Sequence, residues 1–106
     1  MRPLYRNNNF EFGAITSTKT SSSITVSGTI TDYKGLLTEK GFEYKAHSGS
    51  SWTTKKVTAA TLSATVSSLS ASTKYDFRIY GKIGTAIQYG PIEEITTEAA
   101  PEPSDD

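Results

Sequence analysis

The sequence predicts an all-β protein, a seven-stranded antiparallel β-sandwich. Apolar residues recur at every second position in several short segments, and none repeats at the helical spacing of three and four. Turn signals built from Gly, Ser, Asp and Thr separate these segments at intervals of about ten residues. Ser and Thr make up 30 of 106 residues, while Tyr, Ile and Val supply much of the apolar bulk. That mix suits strands with one wet face.

Taken in order, residues 1–9 are polar, Asn-rich and without period. Phe10 and Phe12 begin an alternation that continues as Ala14 and Thr16, a first strand. Thr20 to Ser23 is a turn. Ile24, Val26, Gly28 and Ile30 then alternate with Thr25, Ser27 and Thr29, the clearest period-two signal in the chain. Asp32 to Gly35 reverses the chain, and Gly41 to Ala46 alternates again. The flexible turn Ser48-Gly-Ser-Ser leads into a short strand, Trp52 to Val57. Leu62, Ala64 and Val66 mark the next. The strand Lys74–Lys82 sets Tyr75, Phe77 and Ile79 on one face and Asp76 and Arg78 on the other. A loop around Gly84, carrying Ile87 and Tyr89, precedes a final strand from Ile92 to Thr97.

The chain therefore divides into an N-terminal arm running into the first strand (1–12), a sandwich (13–98) and an acidic, Pro-containing tail (99–106). The expected core is Ile24, Val26, Ile30, Phe42, Tyr44, Leu62, Val66, Leu69, Tyr75, Phe77, Ile79 and Ile95. Tyr33, Tyr80 and Tyr89 are expected at loops or on wet strand faces. A Trp opening a short strand, as Trp52 does, is expected to fold over the sandwich edge.

One domain of this length buries roughly two-thirds of its unfolded surface without staples. The chain has no Cys, which excludes disulfides and thiolate metal sites. No apolar run approaches the ~18 residues of a membrane span. Its net charge is zero but unevenly spread. All 11 Lys and Arg lie within residues 1–92 beside five acids (+6), and six acids without a base follow from Glu93 onward (−6). Such polarity is expected first of all from an acidic tail that keeps the chain soluble; the alternative is head-to-tail or neighbour contacts through complementary patches.

The stretch Leu69-Ser-Ala-Ser-Thr-Lys-Tyr75-Asp-Phe-Arg-Ile79 resembles the tyrosine corner of fibronectin type III domains. The resemblance runs from about Gly13 to Glu98. It also includes Ser23-Ile-Thr-Val-Ser, Gly41-Phe-Glu-Tyr, Gly90-Pro91 and Thr96-Thr97. It implies an immunoglobulin-like sandwich with Phe42, Leu69, Tyr75 and Phe77 as structural residues. The Tyr75 hydroxyl would turn back to backbone between Leu69 and Ser72. Gly28 stands where the family usually has a core Trp. With the Gly-Phe-x-Tyr strand, that makes the chain more similar to divergent modules of bacterial surface proteins and bacteriophage virions. The last loop carries no Arg-Gly-Asp.

Catalytic constellations are absent from the pattern. His47 is the single histidine, at a strand end beside Ser48-Gly49, where an ordinary exposed side chain is expected. No Ser lies in a strand-to-helix elbow. Glu93 and Glu94 are adjacent on a strand, so they face opposite sides of a sheet and cannot act across one bond. Gly81-Lys-Ile-Gly84 lacks phosphate-loop spacing. The expectation is no enzyme, no metal and no cofactor. Lys40, Lys45, Lys55, Lys56, Arg78 and Lys82 suggest a basic sheet face, but Glu39, Glu43 and Asp76 are interleaved. Cross-strand ion pairs account for them more simply than nucleic acid does.

These observations lead to a non-catalytic structural and interaction module in a multi-copy assembly. A bacteriophage auxiliary capsid or decoration protein, made in the host cytoplasm and carried on the virion, is the leading expectation. The alternative is an excised spacer or glycan-contacting domain of a bacterial cell-surface or secreted protein. Partners would be other protein subunits, with weak carbohydrate contact secondary. Candidate contacts are Leu4, Tyr5, Arg6 and Phe10 in the arm, with Trp52, Ile87 and Tyr89, since aromatic and Arg anchors dominate interfaces.

Overall fold

A computed structural model describes residues 10–101. They form strands β1 (Phe10–Phe12), β2 (Thr16–Lys19), β3 (Ile24–Ser27), β4 (Ile30–Asp32), β5 (Glu39–Ala46), β6 (Thr53–Val57), β7 (Ser63–Val66), β8 (Lys74–Ile83), β9 (Ala86–Tyr89) and β10 (Glu93–Thr96). All pairings are antiparallel. A small sheet runs β2-β3-β7, and a large one runs β10-β8-β5-β6 with β9 also on β8. β1 and β4 form a two-stranded extension. The all-β antiparallel sandwich is the fold expected from the sequence.

The strand count departs from seven because three expected elements resolve differently. The first two expected strands each break in two, at Gly13–Ile15 and at Gly28–Thr29. Between the pairs Phe12↔Ile30 and Thr16↔Ser27, three residues (Gly13, Ala14, Ile15) face two (Gly28, Thr29), a β-bulge. The extra residue inverts the alternation. Ile15 is buried and Ala14 exposed, the reverse of the expected Phe10-Phe12-Ala14-Thr16 face. The bulge cannot be read from the local period, because it is fixed by the partner strand.

The segment expected as a loop around Gly84 is a hairpin. β8 runs to Ile83, turns through Gly84 at φ 60°, and returns as β9, which carries Ile87 and Tyr89. A second bulge separates β9 from β10. Arg78 and Ile79 on β8 face Gly90, Pro91 and Ile92 on the partner, between the pairs Tyr80↔Tyr89 and Phe77↔Glu93.

The core between the sheets contains Ile24, Val26, Phe42, Leu62, Val66, Tyr75, Phe77, Ile79 and Ile95, as expected, with Phe10, Phe12, Ile15 and Val57 added. Ile30, Tyr44 and Leu69 pack against it half-buried. Tyr44 stacks on Phe77 with ring centroids 5.6 Å apart. Phe10, expected as a partner contact, has no exposed surface and belongs to the chain's own core. Its ring approaches Gly81, where a Cβ would lie 3.2 Å from Cε2.

At the corner, the amide of Ser70 donates to the Tyr75 hydroxyl at 2.9 Å, so the phenol anchors the loop as an acceptor. Thr97, part of the resemblance but given no structural role by it, is buried beside the corner. Its hydroxyl donates to the Ser70 carbonyl at 2.6 Å and accepts from the Thr73 amide at 3.0 Å. Ser68 (φ 61°) and Ser72 (φ 52°) bracket this loop in the left-handed region.

Candidate functional site

The outward face of the large sheet concentrates the chain's charge and aromatic surface. Antiparallel registers align its outward side chains in rows. Lys45 meets Asp76, and Asp76 meets Glu94; Glu43 meets Arg78; Gly41 meets Tyr80, and Tyr80 meets Tyr89. The second bulge makes this alignment work. It shifts the outward set from Ile87 and Tyr89 on β9 to Glu94 on β10.

At the centre, Arg78 donates to Glu43 Oε1 from Nε at 3.1 Å and from a terminal nitrogen at 2.7 Å. Both side chains are mostly buried, and Thr54 donates to the other Glu43 oxygen at 3.2 Å. The guanidinium is also stacked between two rings, 3.9 Å from the Trp52 centroid and 3.6 Å from that of Tyr89. Lys45 Nζ lies 5.3 Å from the Trp52 ring. Trp52 thus packs on the sheet face over Arg78 and not over the sandwich edge. The stack Trp52–Arg78–Tyr89 runs from the residue just ahead of β6 to β9 and joins two of the expected contact residues through a third side chain. Cations over aromatic faces contribute about 0.5–2 kcal/mol each, more where water is excluded.

Tyr80 departs most from expectation. It points outward yet has no exposed surface. Gly41, directly opposite, leaves room for its ring, since a Cβ there would stand 2.9 Å from Tyr80 Cε1. Its hydroxyl donates to Glu39 Oε2 at 2.6 Å. Burial first, and then this bond to a carboxylate, push the phenol well above its ordinary range. The same bond holds Glu39 below the usual carboxylate range against the opposing effect of burial, with Lys82 and Lys56 assisting.

A second network lies at the other end of the face. Asp76 accepts from Lys45 at 3.2 Å and pairs with His47 Nδ1 at 2.8 Å. Burial raises its pKa, but hydrogen bonds from His47 and Lys45 more than offset this and hold the carboxyl below its ordinary range. Glu94 pairs with Lys74 at 3.2 Å and lies 3.8 Å from His47. His47, Asp76 and Glu94 bring three potential ligand atoms within 4.8 Å of one another. Lys45 and Lys74 already neutralise both carboxylates, so a cation would have to displace an ammonium group from each side. His47 is exposed, as expected from the sequence, and its ring nitrogen also bonds Asp76.

Of the expected contacts, Leu4, Tyr5 and Arg6 lie outside the described residues. Ile87 and Tyr89 are each 38% exposed and Ile92 is 53% exposed, all on the β9–bulge–β10 edge. Three of the six basic residues expected on this sheet form the cross-strand pairs that the interleaved acids suggested: Lys45–Asp76, Arg78–Glu43 and Lys82–Glu39. A groove of about 360 Å³ opens at the sandwich end between Gly28–Ile30, Leu37, Lys40 and Ala60–Leu62. Among the described residues, no helix is long and apolar enough to cross a membrane.

Neither a protein-family model nor a curated protein matches the chain. Solved structures do. The fn3 domain of the human collagen alpha-1(XX) chain is similar at TM-score 0.73 and 19% identity, over 98% of this chain and all of that one. The fn3 domain of human contactin 1 gives TM-score 0.72 and 18% identity, over 91% and 84% of the respective chains. The sensor domain of the anti-sigma factor RsgI4 from Pseudobacteroides cellulosolvens gives 0.71 and 20%, over 88% and 98%. At Gly28, where the resemblance would place a Trp, the side chain of Ile79 fills the space, its Cδ1 2.6 Å from where a Cβ would stand. With its Tyr75 corner, its two antiparallel sheets and these neighbours, the chain has the fibronectin type III fold.

Proposed function

We propose that this chain is a non-catalytic interaction module, one small component of a multi-copy assembly, and that it serves as an auxiliary or decoration protein of a bacteriophage virion. One observation carries the interaction role. Ile87, Tyr89 and Ile92 expose apolar surface along a single edge of the large sheet, beside an aromatic–arginine stack held rigid by Glu43. Rigid aromatic and Arg anchors beside apolar surface are what protein interfaces use. The arm supplies further anchors in Leu4, Tyr5 and Arg6. The test is incorporation into purified virions. The full chain should be found in the particle by mass spectrometry, and deletion of residues 1–9 should abolish or weaken its incorporation while leaving thermal stability nearly unchanged. A truncated chain that assembles at full occupancy removes the arm from the mechanism.

A second reading, a spacer or glycan-contacting domain of a bacterial surface or secreted protein, is supported by the likeness to a bacterial sensor domain. Its glycan-contacting form has a cost in this structure. Trp52 and Tyr89 each give a ring face to Arg78, which leaves less flat aromatic surface for a sugar. In this reading the deletion of residues 1–9 changes nothing measurable.

A further inference from the structure

We propose that copies of this chain associate edge to edge, the β6 edge of one adding to the β10 edge of the next, so that the large sheet continues between molecules. The inference rests on the multi-copy reading and names its contact surface.

β6 and β10 are the two ends of the sheet order, each hydrogen-bonded to a neighbour on one side only. Such edges present unpaired amides and carbonyls that can template another strand. Here the two edges carry opposite charge. β6 exposes Thr53 to Lys56, with Lys55 and Lys56 and no acid. β10 opens with exposed Glu93 and Glu94, and exposed Glu98 follows it. Among the described residues, Lys45, Lys74, Arg78 and Lys82 on this sheet's outward face are paired, whereas Lys55, Lys56, Glu93 and Glu98 form no ion pair. Charged edges repel like edges, which disfavours β6–β6 and β10–β10 contacts and leaves the unlike pairing.

Strand direction permits that pairing. β10 is antiparallel to β8, β8 to β5, and β5 to β6, so β10 and β6 point in opposite directions. A second copy displaced sideways along the sheet therefore presents β10 antiparallel to β6, four residues against five. Lys56 shares the outward face with Gly41, and Glu94 shares it with Asp76. Setting Lys56 opposite Glu94 puts Lys55 opposite Ile95, with Glu93 as its diagonal neighbour, within reach of a long side chain. The contact joins two different surfaces, so it propagates into a ring or a row.

Sedimentation of the full chain tests this. The wild type should self-associate at low ionic strength and dissociate at about 1 M salt, where screening lengths fall to ~3 Å. Lys55→Glu/Lys56→Glu and Glu93→Lys/Glu94→Lys/Glu98→Lys alter exposed side chains only, and each alone should sediment as a monomer. Mixed together, one variant has two acidic edges and the other two basic ones, so association should return. Because the chain has no Cys, Lys56→Cys/Glu94→Cys should also give an oxidised ladder of oligomers. Salt-independent monomers at the highest attainable concentration, unaltered association in either reversal, or a mixture that stays monomeric would each overturn the proposal. Unaltered association together with loss of virion incorporation on deleting residues 1–9 refutes the edge contact alone. Edge-dependent association without incorporation refutes the virion reading alone.

Discussion

The ring of Tyr80 occupies the space above Gly41, its cross-strand partner, and this relationship explains both residues. Any Cβ at Gly41 would stand 2.2 Å from the Lys55 carbonyl oxygen and 2.9 Å from Lys56 Cα as well as from the tyrosine ring. Two of these contacts are backbone of the adjacent strand and cannot rotate away. Gly41→Ala should therefore destabilise the fold by about 1–3 kcal/mol, as overpacking does. It should also release Tyr80 to solvent. Chemical denaturation, with tyrosine accessibility measured in parallel, checks both parts.

Tyr80 also predicts an alkaline signature. Its phenol has a raised pKa in the folded state, so the stability it supports is complete below the unfolded tyrosine value, near 10, and is lost as pH climbs from there toward the folded value. Ultraviolet titration of the six tyrosines should show one ionising late, coincident with alkaline unfolding. Tyr80→Phe should remove that step. A late step that survives the substitution would reassign it.

Why the sequence reveals so much of this fold, and so little of its outer face, follows from how each is encoded. Period-two alternation from Ile24 to Val26 and from Tyr75 to Ile79 reports which side of a strand is buried, and those core residues follow directly. The corner was legible because Tyr75 and Leu69 lie close together in the chain. Bulges are relations between strands, so Ile15 replacing Ala14, and β9 shifting to β10, left no local trace. Outward burial of Tyr80 depends on a glycine 39 positions away, joined to it only by register. The Trp52–Arg78–Tyr89 stack combines three segments in the same manner. The interleaving of acids and bases did foretell the ion pairs, because alternate residues on neighbouring strands share a face.

Asp76 should set part of the acid limb of stability. Its folded pKa is depressed, so its contribution is present above the unfolded carboxyl value, near 3.9, and is lost as pH falls toward the lower folded value. Asp76→Asn keeps the size but weakens the bonds to Lys45 and His47, costing about 1–3 kcal/mol at neutral pH. The variant should also lose less stability than the wild type between about pH 5 and pH 2. Parallel acid limbs in the two proteins would remove Asp76 from the linkage.

Tyr75→Phe isolates the corner bond. The ring and its packing remain, while the Ser70 amide loses its acceptor in a half-buried loop. A cost of about 1–3 kcal/mol is expected. Amide hydrogen exchange should quicken at Ser70 more than at Phe77, because the loop is held from one side by this hydroxyl and from the other by Thr97.

Arg78→Ala should be the most disruptive change on the outer face. It leaves the Glu43 carboxylate, only 9% exposed, with a threonine hydroxyl and no paired cation. Breaking a buried pair by removing one partner costs about 3–5 kcal/mol, and the residual exposure of Arg78 (17%) places the expectation at the lower end. The double change Arg78→Met/Glu43→Gln removes both charges and retains the bulk, so it should recover a large part of that loss. Trp52 is the single tryptophan, so its fluorescence reports directly on the stack and should change in both variants. If Arg78→Ala and the double variant unfold at the same denaturant concentration, the cost lies in the lost cation–ring packing, not in the stranded charge. If neither shifts from wild type, the stack is a surface ornament and the interaction role assigned to this face loses its rigid anchor.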